Sequence, residues 1–591
     1  MRIALAQLNP VVGDIAGNTA MLLEAIKAAR RDRADVLVTS ELFLIGYPPR
    51  DLLQREGVVQ ACEDAVQKIA AHAGDMHVIV GHPRRGPGGV RPFRNSASIC
   101  HDGRVLAICD KQLLPGYDVF DEDRYFEPGG RSLVLPILNR RVGVLICEDL
   151  WRAKDVSAPR QYPVEPVAEC VAQNCDLIIS LNASPFVVGK WKRHIQQMSE
   201  IAADDHVPLI AVNQVGANDD LVFDGRSVMV GSGGEVRAVL PGFDRAVRTI
   251  DLDAAVDEAS VSQHVAVWSD PQREIFHALT LGVRDYCWKT NHANALIGLS
   301  GGIDSALVAV IAAAALGPQN VTGVMMPSIH SSPGSVFDSL DLAGRLGLAG
   351  CEEVPIKAVH SAMRQTLQGS LAEQCAGVVD ENIQARLRGV ILMALSNASG
   401  ALVLSTSNKS EIATGYSTLY GDMCGAVAVL GDLTKTRIYA LARWINANFA
   451  ACGFARPPIP ENSILKPPSA ELRPNQTDQD TLPPYEELDQ IVERAIEREQ
   501  SLQTIVEETG LNAELVRRTL QMIDRAQYKR DQAPVILKVT GRAFGRGRPM
   551  PIVMKGESSV VNGQWPSNGE PRPAVSNPHP VVSSAIGDSS K

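Results

Sequence analysis

Short apolar runs recur along the first half of the chain, at Ile3–Leu8, Val36–Thr39, His77–Gly81, Ser96–His101, Val142–Cys147, Leu177–Asn182, Leu209–Gln214 and Ser227–Gly231. Runs of this length, bounded by Gly, Pro, Asn and Asp, read as strands. Between several of them, Asn18–Arg33, Gln54–Ala73 and Val164–Asn174 place apolar residues three and four apart, which is the helical period. Some strands follow one another closely: His77–Gly81 and Ser96–His101 are separated by a turn at Gly86-Pro87-Gly88-Gly89. Interleaved strands and helices of this kind predict a mixed, layered α/β fold.

The pattern weakens between Val256 and Ser269, which are polar and carry no strong period. It restarts at Gln272 with a helix, followed by strand Ala295–Leu299, helix Ile303–Leu316, strand Val321–Met326, helix Val336–Leu346 and strand Glu353–Pro355. Helices near Ser361–Gln374 and Asn382–Asn397 then lead to strand Leu402–Ser405. Strand–helix–strand units of that length favour a parallel, doubly wound sheet. Two helical stretches, Pro484–Gly510 and Leu511–Tyr528, close this part. The expected division is a first domain over 1–255, a linker over 256–271 and a second domain over 272–555. The tail, 556–591, is rich in Ser, Pro, Gly and Asn and reads as disordered. No internal repeat is visible.

Length and composition sharpen this picture by exclusion. At about 150 residues per domain, 591 residues are a prior for about four domains, but large α/β units make two equally admissible. A hydrophobic fraction of 45% and a charged fraction of 21% are ordinary globular values. The net charge of -10 makes bulk affinity for nucleic acid unexpected. The longest apolar run, Ala306–Leu316, is too short to span a bilayer, and the N-terminus alternates like a strand rather than a signal peptide. The 11 cysteines include no C-x-x-C pair, which argues against a disulfide scaffold or a zinc ribbon. The expected setting is cytoplasmic, with neither membrane nor nucleic acid as a partner.

Three reactive side chains stand where apolar runs end. Glu41 follows Val36–Val38, Lys111 follows Val105–Cys109, and Cys147 ends the run beginning at Val142. Strand ends are where α/β folds collect their ligand sites. A cation lowers a thiol pKa, and a carboxylate within reach shuttles protons between steps. Taken alone, a strand-end cysteine is usually a small buried hydrophobe. The flanking text changes that weighting: residues 1–240 resemble the nitrilase, or carbon–nitrogen hydrolase, superfamily. The resemblance implies an α-β-β-α sandwich in which Glu41 is the general base, Lys111 stabilises the oxyanion and Cys147 forms a thioester. Tyr117, Ser184 and Lys190 stand where its glutaminase members contact glutamine. Other members cleave nitriles or carbamoyl groups, and this domain alone does not choose among them.

A second constellation begins where Ala295–Leu299 runs into Ser300-Gly301-Gly302-Ile303-Asp304-Ser305 and then a helix. Free amides at a helix N-terminus bind anions, and glycines let the backbone approach phosphate. The loop is neither a Walker A motif nor G-x-G-x-x-G. SGGIDS is the signature of the ATP pyrophosphatases. ENIQARLRGVILMALSN, LSTSNKSEIATGYSTLYGDMCG and QYKRDQAP further resemble the NAD synthetases. With the nitrilase-like half in front, residues 1 to about 555 resemble their glutamine-dependent form.

That resemblance implies ATP contacts at Gly298, Leu299, Ser300, Gly301, Gly302, Ile303, Asp304, Ser305 and Thr406. It implies Mg²⁺ at Asp304 and Glu411, and deamido-NAD⁺ contacts at Asn382, Glu411, Tyr416 and Lys529. It also implies ATP, L-glutamine and deamido-NAD⁺ as substrates, a shielded ammonia path and a homo-oligomer. One departure is Cys424-Gly425-Ala426, where the family tends to carry Ala-Gly-Gly. Rival readings are another amidotransferase of the ATP-pyrophosphatase class and a nucleotide-sensing scaffold. The first is disfavoured because Arg2 stands where a nucleophilic cysteine would be needed; the second, by the intact Glu41, Lys111, Cys147 and Asp304.

Overall fold

The computed structural model describes residues 1–86, 88–152, 162–254, 261, 269–371 and 376–554. Most of the expected linker and the whole expected tail lie outside these residues. So do the last residues of the helix expected at Ser361–Gln374.

The first half is built on two six-stranded sheets. One contains β1 (Arg2–Gln7), β2 (Val36–Val38), β3 (His77–Arg85), β4 (Phe93–His101) and β5 (Arg104–Asp110), with β14 (Ala246–Asp251) beside β1. The other contains β6 (Leu133–Ile137), β7 (Arg140–Ile146), β8 (Leu177–Asn182), β9 (Leu209–Asn213), β12 (Val228–Val230) and β13 (Val236–Val239). Their facing residues form one core, with Ile3, Leu5 and Ile79 opposite Val144, Ile146 and Ile179. On the outer faces, Ala4, Leu37 and Val78 pack under helices Ile15–Arg31 and Val58–Ala73, while Leu145, Ile178 and Ala211 pack with helices Pro166–Ala172 and Lys190–Asp205. The four layers are the expected α-β-β-α sandwich. Burial on both faces is the reason these strands read as unbroken apolar runs.

A hairpin of β10 (Val215–Asn218) and β11 (Leu221–Asp224) leaves the second sheet toward the second half of the chain. That half is centred on a six-stranded parallel sheet: β15 (Ala295–Leu299), β16 (Val321–Met325), β17 (Gly350–Glu353), β18 (Leu402–Ser405), β19 (Val427–Ala428) and β20 (Val535–Ile536). The order is β17-β16-β15-β18-β19-β20, so the chain reverses direction of winding between β17 and β18. Crevices at such reversals are where open parallel sheets hold ligands.

The two halves share a continuous core. Phe186, Val215, Val222 and Phe243 from the first pack with Ile275, Phe276 and Leu279 on helix Pro271–Lys289, which in turn covers helix Ile303–Leu316. Polar groups tie the same helix to the first half. Asp285 accepts hydrogen bonds from Asn9 Nδ2 (2.6 Å) and the Ala217 amide (2.8 Å). Lys289 Nζ donates to Asn9 Oδ1, Asn218 Oδ1 and the Ala217 carbonyl at 2.7–2.9 Å.

Several elements differ from expectation. β17 lies at Gly350–Glu353 rather than Glu353–Pro355, because this edge strand is half exposed and carries glutamates where an apolar run was sought. Helix Pro333–Leu346 begins earlier than Val336, with Ser332 accepting from the Ser335 amide and proline in the first turn. Pro484–Gly510 is broken into Tyr485–Val492, a π-helical turn over Glu493–Glu497 and Leu502–Thr509.

Candidate active sites

Glu41, Lys111 and Cys147 stand just past the ends of β2, β5 and β7, close enough that Glu41 and Lys111 both act on the Cys147 thiol. Lys111 is buried, and its ammonium lies 2.7 Å from Glu41 Oε1. It also bonds both carboxylate oxygens of Glu122, at 2.8 and 2.9 Å. Asn95 on β4 donates to Glu41 at 2.7 Å, and the Tyr47 hydroxyl donates to Glu122 at 2.9 Å. Burial opposes the charge on Lys111, but Glu122 and Glu41 hold its pKa well above the usual value. Burial pushes Glu122 up to about 7 despite the pull of Lys111. One buried ammonium is shared by two carboxylates.

Cys147 follows β7 in a left-handed conformation (φ 48°) and opens the short 3₁₀ turn Cys147–Leu150. Non-glycine residues rarely hold that conformation, and functional sites collect such strain. Burial and then Glu41 push its thiol well above the ordinary cysteine pKa, with Lys111 pulling the other way. The thiol therefore rests protonated and needs a base to become a nucleophile. Asp149 locks the neighbourhood: it accepts from the backbone amides of Gln112 (3.0 Å), Leu113 (2.8 Å) and Ile146 (3.2 Å), joining the Lys111 loop to the end of β7.

The three expected glutamine contacts divide into two groups. Tyr117 donates to Glu148 at 3.0 Å, the residue after the cysteine. Ser184 and Lys190 face each other, with Lys190 Nζ 2.9 Å from Ser184 Oγ and 3.1 Å from the Pro185 carbonyl. Both line a cavity of about 40 Å³ that also touches Asn182, Asn213 and Asp224; Tyr117 does not. Burial lowers the Lys190 pKa.

The second site is a cavity of about 280 Å³ at the ends of β15, β16 and β18. Gly298, Leu299, Ser300, Gly302, Ile303, Asp304, Ser305, Thr406, Glu411 and Tyr416 all line it. Gly301 turns the loop with φ 74°; a Cβ there would stand 2.5 Å from the Ser335 carbonyl oxygen. Asn382 and Lys529 do not line the cavity. Asn382 accepts from Thr418, and Lys529 is held by the carbonyls of Gly415 and Ser417, both at 2.6 Å.

Lys435 stands between the expected metal ligands, 2.5 Å from Asp304 and 3.6 Å from Glu411. Burial pushes Glu411 up to about 8, against the pull of Lys435 and with Asp304 adding to it. Among the described residues no group of three or more His, Cys, Asp and Glu forms a metal cage. Magnesium needs no such cage: one or two carboxylates and substrate phosphates suffice. Asp304 and Glu411 beside a phosphate-sized loop fit that description.

Glu122, Asn95 and Asp149 in the first site, and Lys435, Arg388 and Lys466, which also line the second cavity, carry no mark in the sequence. Glu122 is one of five acids within Asp118–Glu127, and nothing local marks which one faces Lys111.

A buried Lys111–Glu41–Glu122 cluster near Cys147 in an α-β-β-α sandwich and a cavity lined by a glycine-rich loop on a parallel sheet stand in one chain, which is the architecture of a two-domain α/β protein. Residues 2–260 match the carbon–nitrogen hydrolase family, and residues 275–533 match the NAD synthase family. The chain is 41% identical to a glutamine-dependent NAD(+) synthetase of Synechocystis sp., over 93% of this chain and 98% of that one. Identity to the enzyme of the same description from Thermotoga maritima is also 41%, with the same coverage. A solved glutamine-dependent NAD+ synthetase from Acinetobacter baumannii, in complex with adenosine diphosphate, superposes with a TM-score of 0.71 at 36% identity, covering 93% of this chain and 98% of that one. The fold is shared with the enzyme from Cytophaga hutchinsonii, at a TM-score of 0.79 and 20% identity over 95% of this chain and 99% of that one. This chain belongs to the glutamine-dependent NAD(+) synthetases, and it is an enzyme of NAD biosynthesis that takes its amide nitrogen from glutamine. No helix among the described residues is long and apolar enough to cross a membrane.

Proposed function

We propose that Cys147, Glu41 and Lys111 release ammonia from L-glutamine and that the 280 Å³ cavity uses it, with ATP, to amidate deamido-NAD⁺. Glu41 takes the thiol proton as Cys147 Sγ attacks the carboxamide carbon. Lys111 stabilises the developing oxyanion, the carbon–nitrogen bond breaks, and Glu41 returns its proton to the departing ammonia. Glu41 then activates water, which splits the thioester to glutamate and restores the thiol. Tyr117, Ser184 and Lys190 hold the amino-acid end of the substrate.

In the second cavity the nicotinate carboxylate attacks the α-phosphorus of ATP and pyrophosphate leaves. Ammonia attacks the acyl adenylate, and AMP departs with NAD⁺ formed. Activation is required because a carboxylate is a poor electrophile. The amides and hydroxyls of Ser300–Ser305 hold the phosphates, with Thr406 beside them. Asp304 and Glu411 are the residues to hold Mg²⁺, which when bound offsets charge on the departing pyrophosphate. Asn382, Tyr416, Glu411 and Lys529 contact or support the dinucleotide. The adenosine diphosphate in the Acinetobacter baumannii relative supports a nucleotide occupant. The reading also includes domains over 1–255 and 272–555, drawn from the hydrophobic pattern, and a cytoplasmic setting, drawn from composition and cysteine usage; a shielded ammonia path and a homo-oligomer are carried over from the family resemblance.

The observation that carries this reading is the buried Lys111 ammonium bridging Glu41 and Glu122 beside a cysteine that needs a base. Cys147→Ala tests it. Glutamine-supported NAD⁺ formation is expected to vanish while ammonium-supported formation continues; survival of both activities would remove Cys147 from the mechanism.

A further inference from the structure

The loop that carries Ser184 and Lys190 is anchored outside its own domain. The Val188 amide donates to the Val539 carbonyl at 2.9 Å, and the Gly189 amide donates to Glu274 Oε2 at 2.9 Å. Both acceptors belong to the second half of the chain. Gly189 is the N-cap of the 16-residue helix Lys190–Asp205, in a left-handed conformation with no side-chain cap of its own. A carboxylate placed there meets an unpaired amide and the positive end of the helix dipole.

The other oxygen of Glu274 accepts from Arg226 Nη1 at 2.8 Å. Arg226 in turn lies over the ring of Trp191, 5.0 Å from its centroid, and 3.4 Å from Asp224. Trp191 directly follows Lys190. One buried carboxylate from helix Pro271–Lys289 therefore fixes the chain on both sides of Lys190, through an amide before it and an arginine–indole stack after it. Hydrogen bonds to an ionised acceptor are stronger and more directional than neutral ones. The second anchor is fixed as well, because the Val539 and Thr540 amides both donate to Asp432 Oδ2, at 2.8 and 2.6 Å.

We propose that Glu274 is a positioning residue for glutamine binding, supplied to the glutaminase site by the synthetase domain. It lines neither cavity. It sets the place from which the Lys190 ammonium reaches Ser184 and the bound amino acid. The inference rests on the reading of Lys190 as a glutamine contact. An interface residue with no such role would, when altered, disturb both activities of the enzyme alike. A positioning residue raises the KM for glutamine and leaves ammonium use alone.

The test compares Glu274→Ala, Glu274→Gln, Lys190→Ala and the double variant E274A/K190A in the full chain, with initial rates measured on glutamine and on ammonium. E274A is expected to raise the glutamine KM at least tenfold while ammonium-supported kcat stays within twofold. E274Q keeps the shape and one acceptor, and should fall between E274A and the unaltered enzyme. The double variant should raise the KM no further than K190A does. An unchanged glutamine KM in K190A would sink the reading of Lys190, and this inference with it. A raised KM in K190A beside an unchanged one in E274A would overturn this inference alone, as would an equal loss of both activities in E274A. Should E274A lose the native circular-dichroism spectrum, E274Q carries the same comparison.

Discussion

Lys111, Glu41 and Glu122 form a buried cluster of one cation and two carboxylates, a costly arrangement that is tolerated where chemistry needs it. Asp149 beside them is a further buried acid, and burial pushes its carboxyl up to about 7 although three backbone amides pull it down. The stability consequence has a definite sign. Between an unfolded pKa of about 4 and a folded pKa of about 7, the folded chain keeps a proton that the unfolded chain releases, so stability falls as pH rises through that window. Asp149→Asn removes this titration. Its unfolding free energy from urea titration should change less between pH 5 and pH 7.5 than that of the unaltered enzyme, by up to about 1.4 kcal/mol per pH unit. Equal slopes would show that Asp149 is ionised throughout. At this scale the sequence was partly legible. Glu41, Lys111 and Cys147 each close an apolar run, which marks them. Glu122 sits in an acid-rich loop and is selected only by the fold that carries it to Lys111, while Asp149 acts through backbone amides that no side-chain pattern reveals.

At the scale of elements, legibility follows burial. β1, β7 and β8 lie between two layers and read as continuous apolar strings. β14, half exposed along its length, and β20, only two residues long, leave no such trace. The strand–loop–helix unit from Ala295 to Leu316 was the most legible of all, because its loop chemistry and its periodicity agree. Gly301 is its hinge: a side chain there faces both a left-handed backbone and the Ser335 main chain. Gly301→Ala should reduce ATP-dependent NAD⁺ synthesis with either nitrogen donor by about 10²-fold or more, the scale of losing positioned charge stabilisation. Glutamine hydrolysis, measured as glutamate release, should persist. Retention of full synthesis would mean that the loop tolerates a different backbone.

For the whole molecule, the decisive contacts are the ones least visible in the sequence. Asp285, Lys289 and Glu274 look like the ordinary charges of an amphipathic helix, yet Asp285 and Glu274 are buried against the first domain. Only the docking of the two halves turns that face inward. Asp285→Ala would strand the Lys289 ammonium, which lies 3.6 Å away, without its buried counter-charge. Loss of one partner of a buried pair costs about 3–5 kcal/mol. The thermal midpoint should fall by several degrees, and an unchanged midpoint would show that the interface carries little of the stability.

The chain also has an order in time. A ribosome releases Glu41, Lys111 and Cys147 long before it reaches Glu274, and Glu274 long before Val539. The proposed nucleophile and its base are thus complete in a nascent chain whose Ser184–Lys190 loop still lacks both of its outside anchors. Under the inference drawn from Glu274, a half-made enzyme holds glutamine poorly. Glutamine is spared during the interval in which no synthetase cavity yet exists to receive the nitrogen.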